Sequence, residues 1–222
     1  EDESPAAVVL ADAIVNELAA PERGARTGSR WAVLRPEFRG LPPYRVRPTI
    51  ETVMVSFGGE DPHRYGPRVA AELAADGYRV VLIDPPAAAY DAITEADYGP
   101  GYDRIRLVRG ASIAEEMTAA DFLVTSRGRT LTEACAVGIP TLSLPVNDRE
   151  ARHYVPAGVI DPTAPSDPLA WSPTWAPAIV DRLSDPNVRA GCSTQMRTAV
   201  DGRGVDRFAA LIDTLLLDCE TL

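Results

Sequence analysis

Two short runs carry the groups best suited to hold an anionic ligand. In Ser126-Arg127-Gly128-Arg129-Thr130-Leu131-Thr132-Glu133, a glycine turn separates an apolar stretch, residues 122–125, from a helical pattern that begins near Thr130. The first N–H groups of a helix have no intrahelical acceptor and carry the positive end of its dipole, so such a turn presents donors to a phosphate. Ser126 and Thr130 add hydroxyls, and Glu133, one turn in, has two acceptor oxygens that suit a ribose diol. Thr130 and Glu133 are also spaced as a capping box, so plain helix capping is the alternative. Arg127 and Arg129 either clamp a diphosphate by charge-assisted hydrogen bonds or form a solvated, acid-paired face. In the second run, Ser56-Phe57-Gly58-Gly59-Glu60-Asp61-Pro62, two glycines close the apolar stretch 52–57. They permit positive φ and close backbone approach to a ligand, the alternative being a tight strand-to-helix turn.

The chain has only two histidines. His63 follows Asp61-Pro62 beside the expected anion crevice and is the one candidate base; His153 follows Asn147-Asp148-Arg149-Glu150, and a solvated or structural role is the alternative for both. All 22 basic residues are arginine, which excludes a Walker-type phosphate lysine, a Schiff-base lysine and a lysine base. With 32 acidic side chains the net charge is −10, contrary to a surface that must neutralise nucleic-acid phosphates. Cys135, Cys192 and Cys219 are far apart and odd in number, as in small buried hydrophobes of a reducing, cytoplasmic compartment. No metal or organic cofactor is expected, and no apolar stretch approaches the ~20 residues of a membrane span.

These runs need a frame. Apolar stretches at 52–57, 79–83, 104–108, 122–125 and 141–144 alternate with helical patterns that end at Gly77 and cover 113–119 and 131–137. Strands alternating with helices predict a parallel sheet covered on both faces, with ligands in the crevice beyond the carboxyl ends of its strands. Residues 156–177 read as a proline-rich loop with an aromatic patch, and helices are expected near 176–183, 188–200 and 206–219. The last carries Phe208, Leu211, Ile212 and Leu215 at helical spacing, a stripe expected to dock partly on residues 6–18, which read as a short helix or strand. Residues 31–48, rich in arginine and proline, read as an extended strap.

Taken together, Gly-Gly-x-Asp-Pro after one strand, the Ser126 to Glu133 turn after a later one, and Gly138-Ile139-Pro140 before the next resemble the nucleotide-binding C-terminal half of GT-B glycosyltransferases. The chain is more closely similar to the UDP-sugar hydrolase family of pseudaminic acid biosynthesis and its spore-coat polysaccharide relatives. Ala11-Asp12-Ala13-Ile14-Val15-Asn16, Leu34-Arg35-Pro36-Glu37-Phe38, Ala120-Asp121 and Asp201-Gly202-Arg203-Gly204 extend the match over almost the whole chain. The resemblance implies a Rossmann-like α/β fold with helices on both faces of a parallel sheet. It implies a UDP or UDP-sugar ligand whose base meets Ser112 and Ile113, whose ribose meets Glu133, and whose diphosphate meets Gly58, Gly59, Gly128 and Thr130. Asp61, Ser126, Arg127 and Arg129 complete the expected site. The family usually has small residues around the cradle glycine and an amide after the next strand; Arg127, Arg129 and Asp148-Arg149-Glu150 depart from that.

In that family a histidine on a glycine-rich turn of the N-terminal domain activates water against the anomeric carbon, and neither histidine here matches it. The chain opens at Glu1-Asp2-Glu3-Ser4 and is expected to be a trimmed sequence whose catalytic half lies on a longer precursor or a partner subunit. Its expected organisation is a remnant of the N-terminal domain over 1–22, an interdomain strap over 23–49, the nucleotide-sugar domain over 50–205 and a crossing helix over 206–222. The expected function is binding of a UDP-sugar, hydrolysed or transferred at the anomeric carbon once that catalytic domain completes the site. A non-catalytic binding or scaffolding subunit, and a true glycosyltransferase acting on an acceptor, are the alternatives.

Overall fold

The computed structural model describes residues 11–21, 26–58, 61–83, 94–110, 112–162, 179–181 and 183–220. Five parallel strands, β1 (Thr52–Ser56), β2 (Arg79–Ile83), β3 (Ile105–Val108), β4 (Phe122–Ser126) and β5 (Thr141–Leu144), form one sheet in the order β3-β2-β1-β4-β5. Around it lie α1 (Tyr65–Ala75), α2 (Glu95–Tyr98), α3 (Ile113–Ala119), α4 (Arg129–Val137), α5 (Asp148–Ala151), α6 (Pro186–Ala199) and α7 (Gly204–Glu220). The expected α/β fold is therefore present, its strands within about a residue or two of the apolar stretches.

Successive side chains of a strand point to opposite faces, and here both faces are covered, so the strands are mostly apolar, with exposed Arg106 on edge strand β3 an exception. Val53, Val55, Val80, Leu82, Phe122 and Val124 pack with Val69 and Leu73 of α1. Met54, Val81, Ile83 and Leu123 point the other way, onto Met117 of α3, Leu131 and Cys135 of α4 and Met196 of α6. Gly138 ends α4 with φ 88°; a Cβ there would stand 2.7 Å from Arg197 Cδ, so glycine allows both the turn and the close seating of α6.

The strap is bound to this domain along much of its length. Leu34 and Phe38 enter the second core layer, Tyr44 Oη donates to Ala120 O at 2.6 Å, and Arg47 pairs with Asp121 at 2.8 Å. Fully buried Arg189 of α6 donates to Arg47 O at 2.6 Å and Pro48 O at 3.0 Å, locking the strap to the helix layer. Where residues 6–18 were expected to hold a helix or strand, residues 11–18 contain only an isolated bridge from Asn16 to Thr27. Asn16 Oδ1 accepts from Leu18 N and Ala19 N, a local turn that competes with either regular form. Residues 1–10, most of the proline-rich loop and all but 179–181 and 183 of the helix expected near 176–183 lie outside the described residues.

α7 confirms its helical spacing but shifts its stripe. Phe208 meets Trp31 edge-on at 5.7 Å, and Leu211 and Leu215 are half-buried, whereas Ile212 is exposed along with Leu216 and Leu217. Gly204 starts the helix against the strap, where a Cβ would collide with Ala32 O. Arg207 donates to Arg30 O and pairs with Asp201, tying the start of α7 to the strap and to the turn before it. Among the described residues no helix is long and apolar enough to cross a membrane.

Candidate functional site

The chain runs from β1 outward through β2 to β3, then crosses back to β4 on the other side of β1. The sheet's direction of winding thus reverses between β1 and β4, and at such a switch point the flanking turns splay apart to leave a crevice beyond the carboxyl ends of the strands. Both expected anion runs end there. Ser56 and Thr125 pair across β1 and β4, and Thr125 Oγ1 donates to Ser56 O at 2.6 Å beneath the crevice. Gly58 turns out of β1 with φ 72°, and the space a Cβ would take is open. Gly59 lies outside the described residues.

The helix N-termini along this edge are not equivalent. Asp61 plugs that of α1: its Oδ1 accepts from Tyr65 N at 2.8 Å and its Oδ2 from Gly66 N at 2.7 Å. Ser112 caps α3 and Asn147 caps α5 through the same kind of bond, to Glu115 N and Glu150 N. α4 differs. Gly128 is its N-cap in extended conformation and brings no side chain to cap it; Leu131 N donates back to Gly128 O at 3.1 Å, and the Glu150 carboxylate stands beside Gly128. The capping box offered by Thr130 and Glu133 is not formed, because the helix begins at Arg129 and Thr130 is already inside its first turn. Thr130 is half-buried; Ser126 is buried at the floor, its Oγ 3.5 Å from the position of a Cβ on Gly128.

The two arginines of the run part company. Arg127 is only 4% exposed and pairs inward with Asp161 at 2.6 Å; burial pulls its pKa below the ordinary value while Asp161 opposes the fall. Arg129 is exposed and lines a cleft of about 300 Å³ with Val15, Asn16, Glu17, Leu18, Trp31, Val33 and Phe208. Glu17 accepts from Val33 N at 3.2 Å, and burial raises its pKa against the pull of Arg129.

Three partners not anticipated from the sequence shape the crevice. Glu150 Oε2 accepts from Arg127 N at 3.0 Å and Val146 N at 3.2 Å, tying the β4 and β5 turns together beside Gly128. His153 Nδ1 lies 2.8 Å from Arg127 O, a carbonyl that only accepts, so the ring is held as the Nδ1–H tautomer. Arg35 holds Glu133 with a two-pronged fork, Nε to Oε1 at 2.7 Å and Nη2 to Oε2 at 3.0 Å, and Glu133 is 1% exposed. Both carboxylate oxygens are thus engaged within the chain. The signal for Arg35 was its place in Leu34-Arg35-Pro36-Glu37-Phe38; Glu150 was marked only as part of the departure Asp148-Arg149-Glu150, and its partners are backbone groups.

His63 is exposed, its ring 5.2 Å from that of Tyr65. Ser112 and Ile113, half-buried, start α3 beyond β3 on the same edge of the sheet. Among the described residues no group of three or more His, Cys, Asp or Glu could hold a metal ion.

No family model matches the chain, and no curated protein matches it. Solved structures match over about half their own length. CalG4, the calicheamicin glycosyltransferase, is 21% identical with a TM-score of 0.53, over 88% of this chain and 50% of that one. A candidate UDP-N-acetylglucosamine 2-epimerase from Listeria monocytogenes is 14% identical with a TM-score of 0.50, over 83% of this chain and 49% of that one. What the likeness establishes is the architecture: a Rossmann-like α/β unit of the kind found in GT-B glycosyltransferases, here spanning about half of such a chain.

Proposed function

We propose that this chain is the nucleotide-sugar-binding half of a GT-B-type protein and that it holds the diphosphate of a UDP-sugar at the switch point. The observation that carries the reading is the glycine N-cap of α4, which makes no side-chain cap bond and follows the strand next to the one that Gly58 leaves, while α1, α3 and α5 have their N-termini capped by side chains of the chain. Gly58, Gly128, Arg129 and Thr130 supply the diphosphate contacts, and Ser112 and Ile113 meet the base. Ser126 and Arg127 act as floor and brace. Asp61 serves by keeping the N-terminus of α1 from competing for the anion.

Backbone donors aimed at the diphosphate stabilise charge as it builds on the leaving group, which favours cleavage at the anomeric carbon by water or by an acceptor hydroxyl. The base for that step comes, in this reading, from a second domain on a longer chain or a partner subunit, as in the hydrolases of pseudaminic acid biosynthesis that the sequence resembles. In this reading it approaches from the side where Val15 to Leu18, Trp31 and Phe208 gather around the cleft that Arg129 lines. A cytoplasmic location follows from the nucleotide-sugar substrate.

Calorimetry tests the reading. The chain is expected to bind UDP at least tenfold more tightly than ADP, and to release no UDP from UDP-sugars when alone. Equal affinity for the two nucleotides contradicts the base assignment, and release of UDP that is abolished by His63→Ala would return the base to this half.

A further inference from the structure

We propose that a cavity at the amino ends of β1 and β2, at the opposite end of the sheet from the switch point, binds a small monocarboxylate; this is independent of the nucleotide reading above. The cavity measures about 470 Å³, within the range of small-molecule sites, and brings together Arg45 and Arg47 of the strap, Arg79 at the start of β2, Glu51 before β1 and Asp121 before β4. Two of the three arginines are paired. Arg47 Nη1 donates to Asp121 Oδ1 at 2.8 Å and to Ala120 O at 3.0 Å. Arg79 Nη2 donates to Glu51 Oε2 at 2.8 Å and its Nε to Thr52 Oγ1 at 3.2 Å. Asp121 gives its other oxygen to the backbone, accepting from Glu51 N and Thr52 N. Arg45 is exposed and, among the described residues, has no hydrogen-bond or ion-pair partner. Of the charges that line the cavity, its own is therefore the unbalanced one.

The free donors suit a carboxylate. The planar fork of Arg45 can hold both oxygens of one, and Arg79 Nη1 and Thr49 Oγ1, neither of which makes a hydrogen bond among the described residues, stand on the same cavity wall to meet its remaining lone pairs. Pro48 and Ala119 give a short apolar side for the carbon chain of a small acid, and no aromatic ring lines the cavity on which a nucleobase could stack. Charge selects the monoanion. Doubling the charge of an anion doubles its attraction to the one unbalanced arginine but quadruples the Born cost of taking it from water, and Glu51 and Asp121 repel the added charge at close range. A dianionic phosphate, or the more highly charged UDP, is therefore disfavoured at this end of the sheet.

Arginine side-chain nuclear magnetic resonance of the isotope-labelled chain is the test, with lactate, methyl lactate and inorganic phosphate as probes at fixed ionic strength and a mildly alkaline pH that keeps phosphate a dianion. Lactate is expected to shift the Arg45 and Arg79 side-chain signals saturably, the uncharged ester to leave them in place, and phosphate to bind at least about tenfold more weakly. Arg45→Ala, which removes no hydrogen bond of the fold, should weaken lactate by about tenfold, the loss of one hydrogen bond to a charged group. Glu51→Gln, which leaves a second arginine unbalanced, should turn the preference toward phosphate. Lactate shifts that do not saturate, that methyl lactate reproduces, or that persist unchanged in an Arg45→Ala chain folded by circular dichroism overturn the proposal. Phosphate bound as tightly as lactate by the wild type also overturns it, as a general anion patch, and so does a Glu51→Gln chain that keeps the wild-type preference.

Discussion

At the scale of single residues, type and spacing located the crevice but not the traffic of charge within it. The turns that hold Gly58, Gly128 and Thr130 were legible because each follows an apolar stretch, and neighbours in sequence there are neighbours in space; that they hold a ligand is the proposal above. Glu133 was assigned by spacing to a ribose or a cap, and its partner turned out to be Arg35, 98 residues away in the chain. Arg127 points into the protein toward Asp161, a contact that depends on how the segment after β5 returns. Asp201 offers a test at this scale. Its hydrogen bond from Arg207 lowers its pKa from 3.8 to about 2, so the stabilisation is complete above the unfolded value and is lost as pH falls through the folded one. Asp201→Asn is expected to cost about 1 kcal/mol or less at neutral pH, since the pair is partly solvated. In urea unfolding the gap from wild type should narrow between about pH 4 and pH 2; a gap that keeps its full size throughout that range would show that the carboxylate contributes nothing.

At the scale of elements, apolar alternation read out the sheet and its helices closely. Arg79–Ile83, Ile113–Ala119 and Thr141–Leu144 coincide with the residues expected, because strands buried on both faces are apolar runs bounded by breakers. The short helices α2 and α5, four residues each, carry too little periodicity to register. The stripe on α7 was misjudged at Ile212, since a helix resting on a strap through one edge needs fewer apolar positions than one set into a core. Gly204 is the residue on which that docking turns. Gly204→Ala should push α7 off Ala32 O and cost about 1–3 kcal/mol of local stability, the range for forced overpacking. Hydrogen exchange is the measurement: amides of α7 should lose protection while those of β1 and β4 keep theirs. Unchanged exchange in α7 would mean that its seat on the strap can yield without loss.

At the scale of the whole molecule, a Rossmann-like sheet with a bound strap and a glycine N-cap at its switch point is the frame on which the proposed anion site rests. The fold was legible because five apolar strands and three breaker-bounded helices leave few other topologies; the function is less so, because fold alone does not choose a ligand. The most direct measurement is a titration of the isotope-labelled chain with UDP, followed by amide and arginine side-chain nuclear magnetic resonance. The expected result is a saturable shift of the Gly58, Gly128, Arg129 and Thr130 amides and of the Arg129 side chain, with the amino ends of the strands around Thr52 and Arg79 unmoved. Saturating UDP that leaves the first group unshifted, or that moves the amino-end residues in its place, would contradict diphosphate binding at the switch point.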